Sequence, residues 1–341
     1  MTETATSEVL AKHALPRIAI AMGDPAGIGP EIIIKALSEA EIYRECVPMV
    51  IGDAGVLSRA PGWAGGEPNL RVIARAEDTE PEPGAVSLLD LANVPSNLKV
   101  GQASAEGGRA CMEYLARGME LGVEGRVDAV VFAPLNKEAM KKAGSPHVDE
   151  YGYLCKLAGV DECAVLMVSP SFTLASVTLH LPFKDIARMI TRDSVLSTIR
   201  YGHRAAVAGG KPNPRIGVAA LNPHAGEGGT LGTEERDAIA PAIASARDEG
   251  IDANGPFPAD TFFMTVKEPR YDVYVGMYHD QGRIALKLLD FGHATTMAEG
   301  LPVLFCTVGH GSAYDIAGKG VADHQNLAET ILLAARRAGR H

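Results

Sequence analysis

The sequence predicts an α/β protein of the α/β/α type, with mostly parallel sheets covered by helices. Three observations predict it. Short apolar runs of strand length alternate with segments of helical period along most of the chain. The 341 residues are 46% hydrophobic, enough to bury a large core. No linker, repeat or low-complexity tract divides the chain. These features predict a two-lobed chain whose first lobe, 1–130, is completed by the C-terminal residues 270–341. Residues 131–269 form the second lobe.

The elements follow in order. "RIAIAM" (17–22) reads as a strand, and "PEIIIKALSEAEIY" (30–43) as a helix with Pro30 in its first turn. "VPMVIGD" (47–53) is a second strand. "RAPGWAGGEPN" and "EDTEPEPGAV", near 59–86, are rich in Pro and Gly and read as surface connections. "GGRACMEYLARGMELGVEG" (107–125) has helical spacing, and "VDAVVFAPL" (127–135) reads as a buried strand. Further strands are expected at 171–180, 215–221, 271–280 and 303–309. A helix is expected over 233–250 with Thr233 as N-cap.

Charge and cysteine content exclude several classes. The formal net charge of −10 and the lack of a basic stripe argue against a nucleic-acid binder. No apolar run approaches the ~20 residues that cross a bilayer. The polar start "MTETATSEVLAKHALPR" reads as a loose tail on a cytoplasmic protein. The five cysteines, Cys46, Cys111, Cys155, Cys163 and Cys306, contain no CxxC pair. They read as reduced, mostly structural thiols.

Three histidines occupy equivalent places. His180 ends "LASVTLH", His224 follows "IGVAALNP", and His279 ends "DVYVGMYH". Each stands where an apolar strand runs out, the region where open α/β sheets bind ligands. Three imidazoles gathered there would form an open metal site, with Asp280 beside them. Three separately hydrogen-bonded strand-end histidines would give the same pattern. "NPHAGEGG" (222–229) admits a phosphate cradle, a metal loop or a plain turn. "GEGGTLGT" (226–233) lacks the GK[ST] ending of a phosphate loop, and "GDPAGIGPE" (23–31) lacks the third glycine of a dinucleotide fingerprint. "HGSAYDIAGKGVAD" (310–323) combines glycines, which let a ligand approach, with Asp315, which suits ribose hydroxyls and repels a 2′-phosphate. A helix C-cap followed by a turn explains the same loop. Lys137 and Lys287 stand at strand and helix ends, as anchors, proton donors or plain surface lysines.

Together these stretches resemble the 4-hydroxythreonine-4-phosphate dehydrogenase family of vitamin B6 biosynthesis. The resemblance runs from about residue 17 to the end. It rests on "MGDPAGIGPEI" (22–32), "APLNKEAM" (133–140), "TLHLPFKDIA" (178–187), "LNPHAGEGG" (221–229), "GPFPADTFF" (255–263), "MYHDQG" (277–282) and "HGSAYDIAGKG" (310–320). The last loop is also similar to that of isopropylmalate dehydrogenases, implying the same two-lobed architecture. The resemblance implies a homodimer with its active site near the subunit interface, NAD as cofactor and one divalent metal per subunit. Zinc is favoured by imidazole ligands, with manganese, magnesium or cobalt as alternatives. It implies His180, His224 and His279 as metal ligands, Lys137 as proton donor, and Asp260 and Asp280 as supporting carboxylates. NAD is expected on His310, Gly311, Ser312, Ala313 and Asp315 of the first lobe. The implied reaction is oxidation of a β-hydroxy acid followed by decarboxylation.

The departures bear on substrate. "DEYG" (149–152) places Glu150 and Tyr151 where the biosynthetic enzymes carry a histidine and a threonine. Lys287 matches a substrate lysine, but Thr296 and Phe305 replace an asparagine and an arginine. Losing the arginine fork and gaining an aromatic face favours a flatter substrate. In "VGHGSA" (308–313), "KLL" after "HDQG" and the closing "GKGVAD", the chain also resembles the terephthalate 1,2-cis-dihydrodiol dehydrogenase branch, and a diol carboxylate of that kind is the expected substrate. 4-Hydroxythreonine-4-phosphate or a related phosphorylated four-carbon acid is the alternative. A zinc hydrolase and a non-catalytic binding protein are the readings from other classes.

Overall fold

Among the described residues, twelve short strands lie side by side in one sheet. A computed structural model describes residues 15–59, 69–147, 149–268 and 270–338. The strands are β1 Arg17–Ala21, β2 Val47–Gly52, β3 Asn69–Ile73, β4 Ala85–Asp90, β5 Ala129–Phe132, β6 Ala164–Val168, β7 Thr173–Ser176, β8 Ile216–Ala219, β9 Ala253–Phe257, β10 Val273–Gly276, β11 Thr295–Glu299 and β12 Leu304–Val308. The α-helices are α1 Gly29–Ala36, α2 Ala40–Glu45, α3 Ala54–Leu57, α4 Ala105–Val123, α5 Lys137–Lys142, α6 Glu150–Ala158, α7 Ile186–Met189, α8 Arg192–Ala208, α9 Ala240–Asp248, α10 Ala259–Phe262, α11 His279–Leu289 and α12 Gln325–Ala338.

The strand order is β3-β4-β2-β1-β5-β12-β11-β6-β7-β10-β8-β9. The first six in that order are parallel. Antiparallel contacts then join β12 to β11, β11 to β6 and β6 to β7. The last four are parallel again. Three reversals leave the two parallel sets running in opposite directions. The expected α/β class with mostly parallel strands therefore holds. The division at residue 270 does not follow the strands, because β10 pairs with β7 and β8. The chain returns to the first set only through β11 and β12, the latter beside β5.

The strands expected from apolar runs all form. The reason is burial on both faces: Ile18, Ile20, Met49, Ile51, Val130, Phe132, Val218 and Val275 are fully enclosed, as a helix-covered parallel strand requires. Two expected helices differ in detail. The 30–43 segment breaks after Leu37, where the Ser38 hydroxyl donates to the Lys35 carbonyl and closes α1. The 233–250 segment opens with a π turn, Glu235–Ile239, with no side-chain cap from Thr233. Glu235 is drawn down into the fold there, and Pro241 offers no backbone N–H to continue a regular ladder. Of the expected 59–86 connections, residues 60–68 lie outside the described residues, as does most of the expected N-terminal tail. The remainder includes β3, an edge strand with Val72 exposed, which polar composition conceals. All five cysteines are free thiols. Among the described residues, no helix is long and apolar enough to cross a membrane.

Helix α11 sets the approach to the site. It packs directly on β7, and a Cβ at Gly282 would fall 2.3 Å from the Leu174 side chain. Leu174 is itself buried, so it has no room to retreat. Gly282→Ala is therefore expected to destabilise the fold by about 1–3 kcal/mol through overpacking, although Ala is the better helix former by ~1 kcal/mol. Chemical denaturation measures the difference.

Candidate active site

Strand register brings two of the three strand-end histidines together. Ser176 of β7 lies opposite Gly276 of β10. The pairing continues past both strands, with Val177 N–H donating to the Gly276 carbonyl at 2.9 Å and Thr178 N–H to the Met277 carbonyl at 3.2 Å. The Thr178 hydroxyl donates to the same Met277 carbonyl. His180 and His279 then emerge side by side, ring centroids 5.7 Å apart. Gln281 stiffens this end of the sheet. Its amide accepts from Met277 N–H at 2.6 Å and donates to the Ala220 carbonyl at 2.8 Å, tying β10 to β8. Each polar residue of "HDQG" thus has a structural or site task.

Each ring of the pair is oriented through Nδ1. His180 Nδ1 bonds Asp149 at 2.9 Å, and His279 Nδ1 bonds Asp280 at 2.6 Å. Asp149 also caps α6 by accepting from the Tyr151 and Gly152 amides. The His180 bond holds the Asp149 carboxyl below its usual range, against the opposing effect of burial. Burial lowers the His279 imidazole below its ordinary value, which keeps it neutral at pH 7. Neither Nε2 has a protein partner among the described residues. Imidazoles with carboxylate-backed Nδ1 atoms are the donor type that divalent metals select. Among the described residues, however, no group of three or more His, Cys, Asp or Glu side chains converges as a metal cage.

The third histidine lies elsewhere. "PHAGEGG" folds as a left-handed turn, with positive φ at His224, Ala225, Gly226, Glu227 and Gly228. Three of these residues carry side chains, each at a steric cost of about 1–2 kcal/mol. The turn is held by Glu235, which accepts from Leu221 N–H at 2.9 Å, Asn222 N–H at 2.7 Å and the Asn222 side chain at 3.0 Å. Gly226 is required because a Cβ there would meet a Glu235 oxygen at 2.7 Å. The His224 side chain is 70% exposed, with Nδ1 3.3 Å from Glu227. Exposed Asp260, in the first turn of α10, packs next to this turn.

Two clefts flank the His310–Gly311 loop. The smaller, about 290 Å³, is lined by Asn136, Lys137, Glu150, Thr307, His310 and Ser312, among others. Lys137 stands in the first turn of α5, which Asn136 caps by accepting from Ala139 N–H at 2.9 Å. Glu150 is buried, its carboxyl raised by desolvation against the pull of Lys137, and its Oε2 has no partner. Tyr151 beside it is likewise pushed well up by burial and by the Glu150 charge. The larger cleft, about 680 Å³, is lined by Lys287, His293, His310, Ala313, Asp323 and Asn326, among others. Asn326 fixes the rim by accepting from Gly309 N–H at 3.0 Å and donating to the Ala294 carbonyl.

The loop from 310 to 323 is pinned at both ends of its course. Ser312 is buried with its hydroxyl unpartnered, and its carbonyl accepts from Ile28 N–H at 3.0 Å. The Tyr314 hydroxyl donates to buried Asp24 at 2.6 Å; burial raises that carboxyl although the bond opposes it. Further on, Glu31 accepts from the Gly320 and Ala322 amides, and Lys35 donates to both their carbonyls.

Three expected residues fall outside this picture. Phe305 is fully buried on β12 with its ring 6.3 Å from Phe132, so it presents no face to a ligand. Thr296, opposite Thr307 on β11, is also enclosed at 6% exposure. Asp315 is exposed and lines neither cleft; the carboxylates on the larger one are Asp290, which accepts from Ser171, and Asp323. Asp149, Glu235, Gln281, Arg283 and Asp323 were not singled out by sequence reasoning. The acceptors at 149 and 235 act on residues over ten positions away, and no local pattern marks them.

Comparison with known proteins decides the family. The model of the pyridoxal phosphate biosynthetic protein PdxA matches residues 44–334. The chain belongs to the PdxA family. A D-threonate 4-phosphate dehydrogenase of Cupriavidus necator is 39% identical over 327 residues, covering 96% of this chain and 98% of that protein. A crystal structure of a 4-hydroxythreonine-4-phosphate dehydrogenase from Burkholderia phymatum is 41% identical, with a TM-score of 0.83, covering 95% of this chain and 98% of that one. A terephthalate 1,2-cis-dihydrodiol dehydrogenase from Burkholderia xenovorans LB400 is more distant, at 31% identity and TM-score 0.66 over 94% of this chain and 98% of that one. The leaning towards an aromatic diol carboxylate is therefore corrected. It rested on an aromatic face at Phe305, which this PdxA-family member keeps inside its core.

Glu235→Ala is expected to strand three donors and cost about 1–3 kcal/mol. Hydrogen exchange should accelerate at the Leu221 and Asn222 amides while the β10 amides stay protected.

Proposed function

We propose that this protein oxidises the hydroxyl of a phosphorylated four-carbon hydroxy acid, of the D-threonate 4-phosphate or 4-hydroxythreonine 4-phosphate class, and that decarboxylation follows. The observation that carries the reading is the carboxylate-backed pair His180–His279 in a member of a dehydrogenase family. In balance, the carbinol carbon gives up a hydride and its oxygen a proton. The β-keto carboxylate then loses carbon dioxide, and the carbon left behind takes a proton.

A divalent metal supplies Lewis acidity at the hydroxyl oxygen and NAD supplies the hydride acceptor. The residues present fit both. His180, His279 and His224 would hold the metal, with zinc favoured by an imidazole set. His310, Gly311, Ser312 and Ala313 would hold NAD, helped by Asn326. Asp323, in place of Asp315, suits ribose hydroxyls on the larger cleft, whose other carboxylate, Asp290, already accepts from Ser171. Ser312, which lines the smaller cleft, offers a buried, unused hydroxyl to a ligand. Lys137 borders the smaller cleft, as a donor of the final proton requires. Asp280 orients His279, and Lys287 reaches the larger cleft.

His224 and Asp260 enter this scheme from a second copy of the chain. Both are exposed, on elements that contact each other, and among the described residues neither converges with the His180–His279 pair as a metal-holding group. Exposed apolar side chains flank both partial sites: Leu181 and Phe183 after His180, Leu231 after the His224 turn, and Met264 after α10. Such apolar surface suits a self-complementary twofold interface.

Three measurements test this. NADH formation from D-threonate 4-phosphate should require added metal and vanish with a chelator; a chelator-resistant enzyme overturns the metal role. Asp149→Asn should lower metal affinity about 10–100-fold through the His180 ring, read by competition with a chromophoric chelator. His180→Ala and His224→Ala should each be inactive, yet mixed subunits should regain about a quarter of wild-type activity, because half the dimers then hold one intact site. Recovery of none would place His224 in its own subunit's site.

A further inference from the structure

Arg283 is a cation of the site with no ion-pair partner among the described residues. It stands four residues after His279 on α11, hence on the same helix face, about 5–6 Å further along. Its Nε is buried and makes no hydrogen bond, and no carboxylate lies within ion-pair distance among the described residues. On its other side stand Tyr151 and Glu150 at the start of α6, the helix whose cap Asp149 holds His180. Glu150 is similarly unsatisfied at Oε2. A half-buried guanidinium with idle donors is costly to fold, since buried charges are normally paired. Burial lowers its pKa, and the neighbouring Glu150 and Asp280 charges only partly oppose that. The protein keeps a cation where an apolar side chain would be more stable.

Building on the function proposed above, we infer that Arg283 is a specificity-determining residue that binds the substrate's phosphate group beside the His180–His279 pair. A planar guanidinium presents paired N–H donors that match two phosphate oxygens, and the ligand's charge replaces the missing protein partner. The spacing suits the substrate. In a four-carbon acid oxidised next to its phosphorylated carbon, the phosphate lies one short side chain's reach from the reacting hydroxyl. One helical turn separates His279 from Arg283 to the same effect.

The test uses the full-length enzyme and Arg283→Met, with Arg283→Lys as a second variant that keeps charge but not the fork. The Met variant is expected to fold with a Tm equal to or above wild type, because an unpaired buried charge is removed. Its KM for D-threonate 4-phosphate should rise about 100-fold, the loss of charge-assisted hydrogen bonds, with a much smaller change in kcat. Inorganic phosphate should raise the Tm of wild type and compete with substrate, and should do neither with Arg283→Met. Lys should restore part of the affinity. A Met variant that keeps wild-type KM and phosphate binding overturns the assignment. So does one whose Tm and kcat fall together, which would mark a structural residue. If wild type oxidises no phosphorylated acid yet loses phosphate binding on Arg283→Met, the anion site stands and the proposed reaction fails.

Discussion

The parallel register between β7 and β10 is the constraint on which the site depends. Opposing Ser176 to Gly276 decides that His180 and His279, a hundred residues apart in sequence, leave the sheet at the same level. The hydrogen bonds that extend this pairing through Val177 and Thr178 cannot slip by one residue without turning a histidine into the core. Everything else at this end serves that register. Gln281 ties β10 to β8, Gly282 lets α11 lie flat on Leu174, and Asp149 arrives on α6 to fix the His180 ring.

Polar chemistry is then distributed by which groups remain unsatisfied. Most buried polar atoms in the first strand set are spent on architecture: Glu31 and Lys35 hold the 320–322 segment, and Asp24 takes the Tyr314 hydroxyl. By contrast, Glu150, Ser312 and Arg283 each keep a buried polar atom without a partner. In a folded protein such atoms are rare because each is costly. Arg17, Thr79 and His147 also keep such atoms away from the two clefts, so it is the chemistry of Glu150, Ser312 and Arg283 beside the histidine pair and the His310–Gly311 loop that suits the proposed ligand.

The sequence revealed much of this, and the limits are physical. Alternating apolar runs and helical periods were sufficient for the α/β class, because strands buried on both faces leave an unmistakable local pattern. Strand-end position was sufficient to select His180 and His279. It was not sufficient to say that His224 stands apart, because a run of left-handed residues changes where a loop points and has no simple sequence signature. Phe305 and Thr296 were misjudged for a related reason. A strand residue's position is legible, but whether its face opens to a cleft or is filled by Phe132 depends on a strand 170 residues away. Asp149, Glu235 and Arg283 escaped notice because each matters only through neighbours brought near by folding. The motif histidines His180 and His279 do meet in the fold, whereas Phe305 and Thr296 lie in its core.

The left-handed turn that displays His224 also restricts what evolution or an engineer can place there. With φ near 52°, the position excludes β-branched side chains and tolerates few others besides glycine, asparagine and aspartate. Of these, aspartate is the residue that can replace an imidazole with a charged oxygen donor. A drift from softer to harder cations therefore has its least strained path through aspartate at this corner of the proposed site, whereas glutamate or cysteine there would bear the same steric cost of about 1–2 kcal/mol that Ala225 and Glu227 already bear in this turn.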